Sequence, residues 1–221
     1  MGFDVKAIMF DLDGTLVHTA PEIASAANEM LAELKLPILQ EQQIERFIGE
    51  GAQLLIRRCV EVASGTPVGE ATLQQSKALF YQHYADRVTF SRPYEGVVDS
   101  LAILKQQGFR LACVTNKPER FTLPLLRSAA LAEYFEIVVS GDTLAKKKPD
   151  PMQLRHICAQ LNVLETEAML VGDSYTDVLA AHAAGCYIVT VPYGYNQGRM
   201  IDESQVDATI ENIPALVGLL T

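Results

Sequence analysis

Apolar and polar positions alternate along this chain in two distinct rhythms. Ala7-Ile8-Met9-Phe10 is a short apolar run of the kind that forms a strand buried on both faces, and it leads straight into Asp11-Leu12-Asp13-Gly14-Thr15-Leu16. Beyond Leu16 the spacing turns helical. Pro21 stands near a helix start, and Ile23, Ala26, Ala27, Met30, Leu31 and Leu34 recur on one face. Further helices are predicted over about 40–47, from Leu54 to the breaker Ser64-Gly65-Thr66-Pro67, and over about 70–86. No strand pattern occurs between His18 and Asp86, so the stretch reads as a helical insertion of small-bundle size.

After Pro93-Tyr94-Glu95-Gly96 the chain alternates again. Strands are predicted at 110–114, 137–140, 168–171 and 187–191, separated by helices at 97–107, 118–130, 152–161 and 175–184, with a short last helix after Pro214. Strands joined by helices of this length imply an α/β fold, a Rossmann-like parallel sheet with helices on both faces. The expected core is residues 1–17 and 87–221, with an inserted all-helical cap domain at 18–86.

Composition narrows the function. The formal charge of −9 over 221 residues argues against a nucleic-acid partner, and the dense basic run is confined to Lys146-Lys147-Lys148. Cys59, Cys113, Cys158 and Cys186 form no Cys-x-x-Cys pair, so they read as reduced packing residues, not a zinc site or redox dithiol. His18, His83, His156 and His182 have no ligand spacing to one another. The N-terminus passes from Met1 to Asp4 and Lys6 without a signal-type apolar segment, and no apolar run is long enough to cross a bilayer. A cytoplasmic monomer or homodimer without a membrane partner is expected.

Chemistry concentrates where strands end. Asp11 and Asp13, two residues apart on extended backbone, project to one side, and Gly14 permits a sharp turn that brings the Thr15 hydroxyl close. Two such acids repel each other unless a cation lies between them or one stays protonated as a general acid. Ligands of open α/β sheets bind beyond the carboxyl ends of the strands. There Thr115, Asn116, Lys148, Asp173 and Asp177 are expected to join Asp11 and Asp13. Each alone reads as an ordinary loop residue or cap; together they define a site.

These residues also resemble a known set of motifs. Asp11-Leu12-Asp13-Gly14-Thr15-Leu16 is similar to the DxDGT[LV] motif of the haloacid dehalogenase superfamily phosphatases, and Val114-Thr115-Asn116-Lys117 to its second motif. Lys148-Pro149-Asp150-Pro151 resembles the third, and Val171-Gly172-Asp173-Ser174-Tyr175-Thr176-Asp177 the fourth, GDSxxD. The resemblance implies that Asp11 attacks phosphorus, that Asp13 handles the leaving-group proton, and that Lys148 neutralises nucleophile and phosphoryl oxygens. It implies Mg²⁺ held by Asp11 and Asp173 with the Asp13 backbone carbonyl, supported by Asp177 and Ser174. Phosphoryl binding falls to Gly14, Thr115, Asn116 and Lys148. Two like charges in contact cost about 1 kcal/mol in water and more in a dry site, so a cation and a lysine are what such an attack needs.

Residues 18–86 match the place of a C1-type cap in that family. Within it, Gly49, Gly51 and Arg57 or Arg58 are expected to meet the substrate. Ala20-Pro21-Glu22-Ile23, Gly49-Glu50-Gly51, Thr115-Asn116-Lys117-Pro118 and Pro192-Tyr193-Gly194-Tyr195-Asn196 resemble the phosphoglycolate phosphatase subgroup, which implies a small phosphorylated metabolite, 2-phosphoglycolate, as substrate. Sugar phosphates, nucleotides, a β-phosphoglucomutase-like transfer or a non-catalytic phosphate-binding module are the alternatives. A 2-haloacid dehalogenase has no use for Asp13. His18 departs from the Asp common at its position, with altered charge expected near the hinge or entrance.

Overall fold

Alternation within each short strand sets the architecture, because a two-residue period sends neighbouring side chains to opposite faces. In the computed structural model, which describes residues 3–220, β1 (Ala7–Phe10) turns Ile8 and Phe10 to one face and Ala7 and Met9 to the other. All four are buried, as the apolar run predicts.

The chain continues through β2 (Val17–His18), α1 (Ala20–Glu33), α2 (Glu41–Glu45), α3 (Ala52–Ser64), α4 (Glu70–Ala85) and β3 (Arg92–Pro93). It then alternates through α5 (Val97–Gln106), β4 (Arg110–Val114), α6 (Glu119–Ser128), β5 (Ile137–Val139), α7 (Met152–Leu161), β6 (Ala168–Gly172), α8 (Tyr175–Ala184), β7 (Tyr187–Thr190), β8 (Ala208–Thr209) and α9 (Ile213–Leu220). Six of these strands form a parallel sheet in the order β5-β4-β1-β6-β7-β8. One face packs Leu111, Cys113, Met169 and Val171 with side chains of α5, α6 and α9; the other packs Ala112, Val114 and Leu170 with α7 and α8. Both faces are therefore covered, as a parallel sheet requires.

Order and register determine where a ligand can sit. From β1 the chain moves outward through β4 and β5, then crosses to β6 on the other side of β1, so the winding reverses at β1. Phe10 pairs with both Cys113 and Val171, which brings the ends of β1, β4 and β6 level. Immediately beyond those ends come Asp11, Thr115 and Asp173.

Helices α1 to α4 lie between β2 and β3, which pair with each other antiparallel across the two chain crossings. α1 packs on α2 and α4, and α3 on α4, burying Met30, Leu31, Ile56, Cys59, Leu73 and Phe80. The helix expected over 40–47 is shorter, Glu41–Glu45, and the strand expected over 137–140 ends at Val139. β2, β3 and β8 were not anticipated: each is two residues long and carries no period that a sequence could display. All four cysteines are buried and free. Among the described residues no helix is long and apolar enough to cross a membrane.

Candidate active site

Lys148 is the hub at the level strand ends. Its Nζ lies 2.9 Å from Asp11 Oδ1, 2.6 Å from Asp177 Oδ1 and 2.9 Å from the carbonyl oxygen of Val114. An ammonium has three hydrogens to donate, and here all three have acceptors. Burial works against the charge, but Asp11 and Asp177 outweigh it and hold the Lys148 pKa above its ordinary value. The backbone is fixed as well: Lys148 N–H donates to Gln153 Oε1, whose amide in turn donates to the carbonyls of Ser140 and Thr115. Gln153 carried no sequence signal beyond a polar residue on a helix.

Asp177 is held from its own helix. The N-cap residue Ser174 donates to Asp177 Oδ2 through its backbone N–H at 3.1 Å and its hydroxyl at 2.6 Å, a capping arrangement at the start of α8. Asp173 accepts from the Thr15 hydroxyl at 2.7 Å and from the Tyr195 backbone N–H at 2.7 Å. Gly14 has φ +90, and a Cβ there would come within 2.7 Å of Asp173 Oδ2, so the first loop can lie against Asp173 only as glycine.

Asp11, Asp173 and Asp177 present carboxylate oxygens within 4.8 Å of one another, all buried. Facing them is one ammonium, Lys148, which leaves an excess of two negative charges when all are ionised. Burial, then the neighbouring Asp177, pushes Asp173 up to about 7, and burial lifts Asp11 well above the ordinary carboxylate range. A set of hard oxygen donors that cannot comfortably all ionise fits a divalent cation such as Mg²⁺. Asp177 accepts three hydrogen bonds, one from Lys148 and two from Ser174, against two at Asp173, and is the least free of the three.

Asp13 belongs elsewhere in the same site. Its Oδ1 is 2.7 Å from the Nζ of Lys117, a lysine only 6% exposed. Asp11 and Asp13 both line one chamber, as their spacing predicts, but each has its own lysine. Burial opposes the Lys117 charge and Asp13 overcomes it, so the Lys117 pKa also stands above its ordinary value. Lys117 follows Val114-Thr115-Asn116 in the sequence, and nothing in its position there points to this pairing.

The chamber holds about 40 Å³ for the centres of water-sized spheres, room for about three waters. The sheet contributes Asp11, Asp13, Thr115 and Asn116, and the helices Ile23, Leu55, Phe80 and Tyr84. Thr115 is buried, and its Oγ1 accepts from the Lys117 backbone N–H at 3.1 Å. Asn116 Nδ2 bridges the carbonyls of Gly49 and Lys148 at 2.9 and 2.8 Å, joining the helical segment to the sheet. Gly51 also lines the chamber, at φ +93.

Arg57 is not brought to the chamber. Its guanidinium donates to the Val68 carbonyl at 3.2 Å and faces Glu61 and Glu70, on the side of α3 turned to the α3–α4 connection; Arg58 pairs with Glu50. Helical spacing places two adjacent arginines on different faces without saying which face meets the ligand. The loop after β7 stood out in sequence for its resemblance to a subgroup, but that resemblance gave Tyr193 and Tyr195 no contact or role. Tyr195 Oη accepts from the backbone N–H groups of Thr19 and Ala20 at 2.8 and 3.0 Å and lies 3.0 Å from His18 Nδ1, while Tyr193 donates to the Thr15 carbonyl. His18 thus sits in an aromatic cluster with Tyr94 and Tyr195.

Residues 8–191 match the family model described as haloacid dehalogenase-like hydrolase. The chain is 43% identical over 218 residues to a phosphoglycolate phosphatase of Thiobacillus denitrificans, covering 98% of this chain and 96% of that one. It is 45% identical to the plasmid phosphoglycolate phosphatase of Cupriavidus necator over 97% and 93% of the two chains. Among solved structures it superposes on a predicted phosphoglycolate phosphatase from Haemophilus somnus with TM-score 0.94 and 33% identity, covering 99% of each chain. A phosphate complex of CbbY from Rhodobacter sphaeroides matches with TM-score 0.81 and 26% identity over 96% of each.

Proposed function

We propose, because the chain belongs to the haloacid dehalogenase-like hydrolase family, that this phosphatase hydrolyses 2-phosphoglycolate to glycolate and phosphate through an aspartyl-phosphate on Asp11. The observation that carries the reaction is the ammonium of Lys148 held between Asp11 and Asp177 beside the buried acidic cluster, with Asp11 also lining the chamber. The substrate rests on the names of the relatives.

In the first step an Asp11 carboxylate oxygen bonds to phosphorus while the ester oxygen leaves and takes a proton from Asp13. Lys148 reduces the repulsion between nucleophile and phosphoryl oxygens, and the Thr115 hydroxyl with neighbouring backbone N–H groups orients them. In the second, Asp13 removes a proton from the water that attacks phosphorus, and phosphate departs from Asp11. Asp11 and Asp173 with the Asp13 carbonyl oxygen would hold Mg²⁺, while Asp177 and Ser174 hold Lys148 and the start of α8. When bound, that ion polarises the phosphoryl oxygens and offsets their charge. Residues 18–86 act as a cap that keeps bulk water from the first step, with Asn116 tying it to the sheet.

The test is phosphate release from a panel of small phosphomonoesters, with Mg²⁺ and with chelator. A kcat/KM for 2-phosphoglycolate about tenfold or more above sugar phosphates and nucleotides, lost on chelation, is expected. A flat profile removes the substrate assignment, and absence of release from every ester removes the reaction.

A further inference from the structure

Lys117 and Tyr84 form a polar corner of the chamber beside Asp13. Lys117, between β4 and α6, points its Nζ at Asp13 Oδ1 and lies 4.7 Å from the centre of the Tyr84 ring. Asp13 takes one of the three ammonium hydrogens. Tyr84 is 2% exposed, and its hydroxyl has no hydrogen-bond partner of normal geometry among the described residues. Burial pushes that hydroxyl's pKa up to about 12, so it remains a donor. Around these two groups the wall is apolar, formed by Ile23, Ile48, Leu55, Phe80 and Phe121.

Of the other cations near the site, Lys147 has its Nζ beside Gly51 but does not line the chamber, and the rest are committed elsewhere. Lys148 has used its three hydrogens, Arg57 faces Val68 and Glu61, and Arg58 is paired with Glu50. Among the described residues that line the chamber, Lys117 is the cation. In an apolar pocket the few polar groups fix which ligand is accepted, and a dry ammonium beside a free hydroxyl selects for an anion with two acceptor oxygens.

We propose that Lys117 Nζ and Tyr84 Oη form the subsite that reads the leaving group, binding a carboxylate carried on the same carbon that bears the ester oxygen. The inference rests on the phosphatase reading above and narrows its substrate class to phosphorylated 2-hydroxy acids. It transfers to Lys117 and Tyr84 the recognition that Arg57 was expected to supply. Neither side chain forms or breaks a bond; both position the ester oxygen against Asp13.

The experiment compares kcat/KM for 2-phosphoglycolate and for its neutral isostere, the phosphate ester of glycolamide, in the full-length Mg²⁺-loaded enzyme. Because Lys117 also holds Asp13, its loss slows both reactions, and the ratio isolates the carboxylate. Lys117→Met is expected to cut the acid-to-amide ratio by about 10- to 100-fold, the scale of a hydrogen bond to a charged group. Lys117→Arg retains part of the preference. Tyr84→Phe, which leaves the Lys117–Asp13 pair in place, is expected to fold and to cut the ratio by about threefold to tenfold; it carries the test if Lys117→Met does not fold. A ratio unchanged in the folded variants overturns the subsite. Equal kcat/KM for the two esters in the wild type also overturns it while leaving a phosphatase, whereas release from neither overturns the reading beneath it.

Discussion

Lys148 and Asp177 meet at 2.6 Å although one lies in the loop before α7 and the other in the first turn of α8, and through this contact the position of Asp11 depends on a helix cap. Both partners are buried, so breaking the pair costs more than the intact pair contributes. Removing one member of a buried pair leaves an uncompensated charge and costs about 3–5 kcal/mol. Lys148→Met is therefore expected to lower stability on that scale in urea unfolding. Adding Asp177→Asn to it should recover part of the loss, and simple additivity of the two changes would show that the side chains are not coupled.

Asp11→Asn keeps the shape of the proposed nucleophile and removes its charge. Phosphate release is expected to fall by about a thousandfold or more, the cost of removing a covalent step. The fold should survive, because burial already disfavours the Asp11 carboxylate. Circular dichroism and a thermal melt check the fold; a folded variant with near wild-type turnover eliminates Asp11 as nucleophile.

The acidic cluster also determines how stability varies with pH. Asp173 is pushed from 3.8 up to about 7, and Asp11 upward as well, both first by burial. A carboxyl whose folded-state pKa lies above its unfolded value contributes stability that is full below the unfolded value and lost as pH rises through the folded one. Chelated protein should thus lose stability between about pH 4 and pH 7. An ion that binds the ionised carboxylates offsets the loss above that window, so Mg²⁺ should raise Tm more at pH 8 than at pH 5. Equal gains at both pH values would count against binding by these side chains.

Tyr195→Phe removes one oxygen that satisfies the backbone N–H groups of Thr19 and Ala20, at the entry to α1. Leaving such groups without a partner costs about 1–3 kcal/mol. Thermal unfolding should report that loss, and hydrogen exchange at Thr19 and Ala20 should accelerate. Unchanged protection would mean that the clamp does not persist in solution.

Arg57→Ala provides the contrast, because its guanidinium faces Val68, Glu61 and Glu70, away from the chamber. A solvent-facing change of this kind stays within about 0.5 kcal/mol in stability. The kcat/KM for 2-phosphoglycolate is expected to remain within about twofold, a barrier change smaller than that same figure. A tenfold loss in steady-state assay would return Arg57 to the substrate.

The parallel sheet was legible because strand burial is written locally: Ala7-Ile8-Met9-Phe10, Leu111 to Val114 and Ala168 to Val171 are apolar runs that only a sheet covered on both faces can hide. The gathering of Asp11, Thr115, Lys148 and Asp173 was legible for the same reason, since parallel strands in register carry the residues just past their ends to one edge. Period and turn chemistry do not extend beyond their own segment. Hence the paired dipeptides β2 and β3, the direction of Arg57 on α3 and the Tyr195 clamp had no signature. The contact of Lys117 with Asp13 joins residues 104 positions apart and depends on how two loops and α4 come to rest together. Residue types announced which chemistry was present; the docking of the helices against the sheet edge decided which side chain each charge would face.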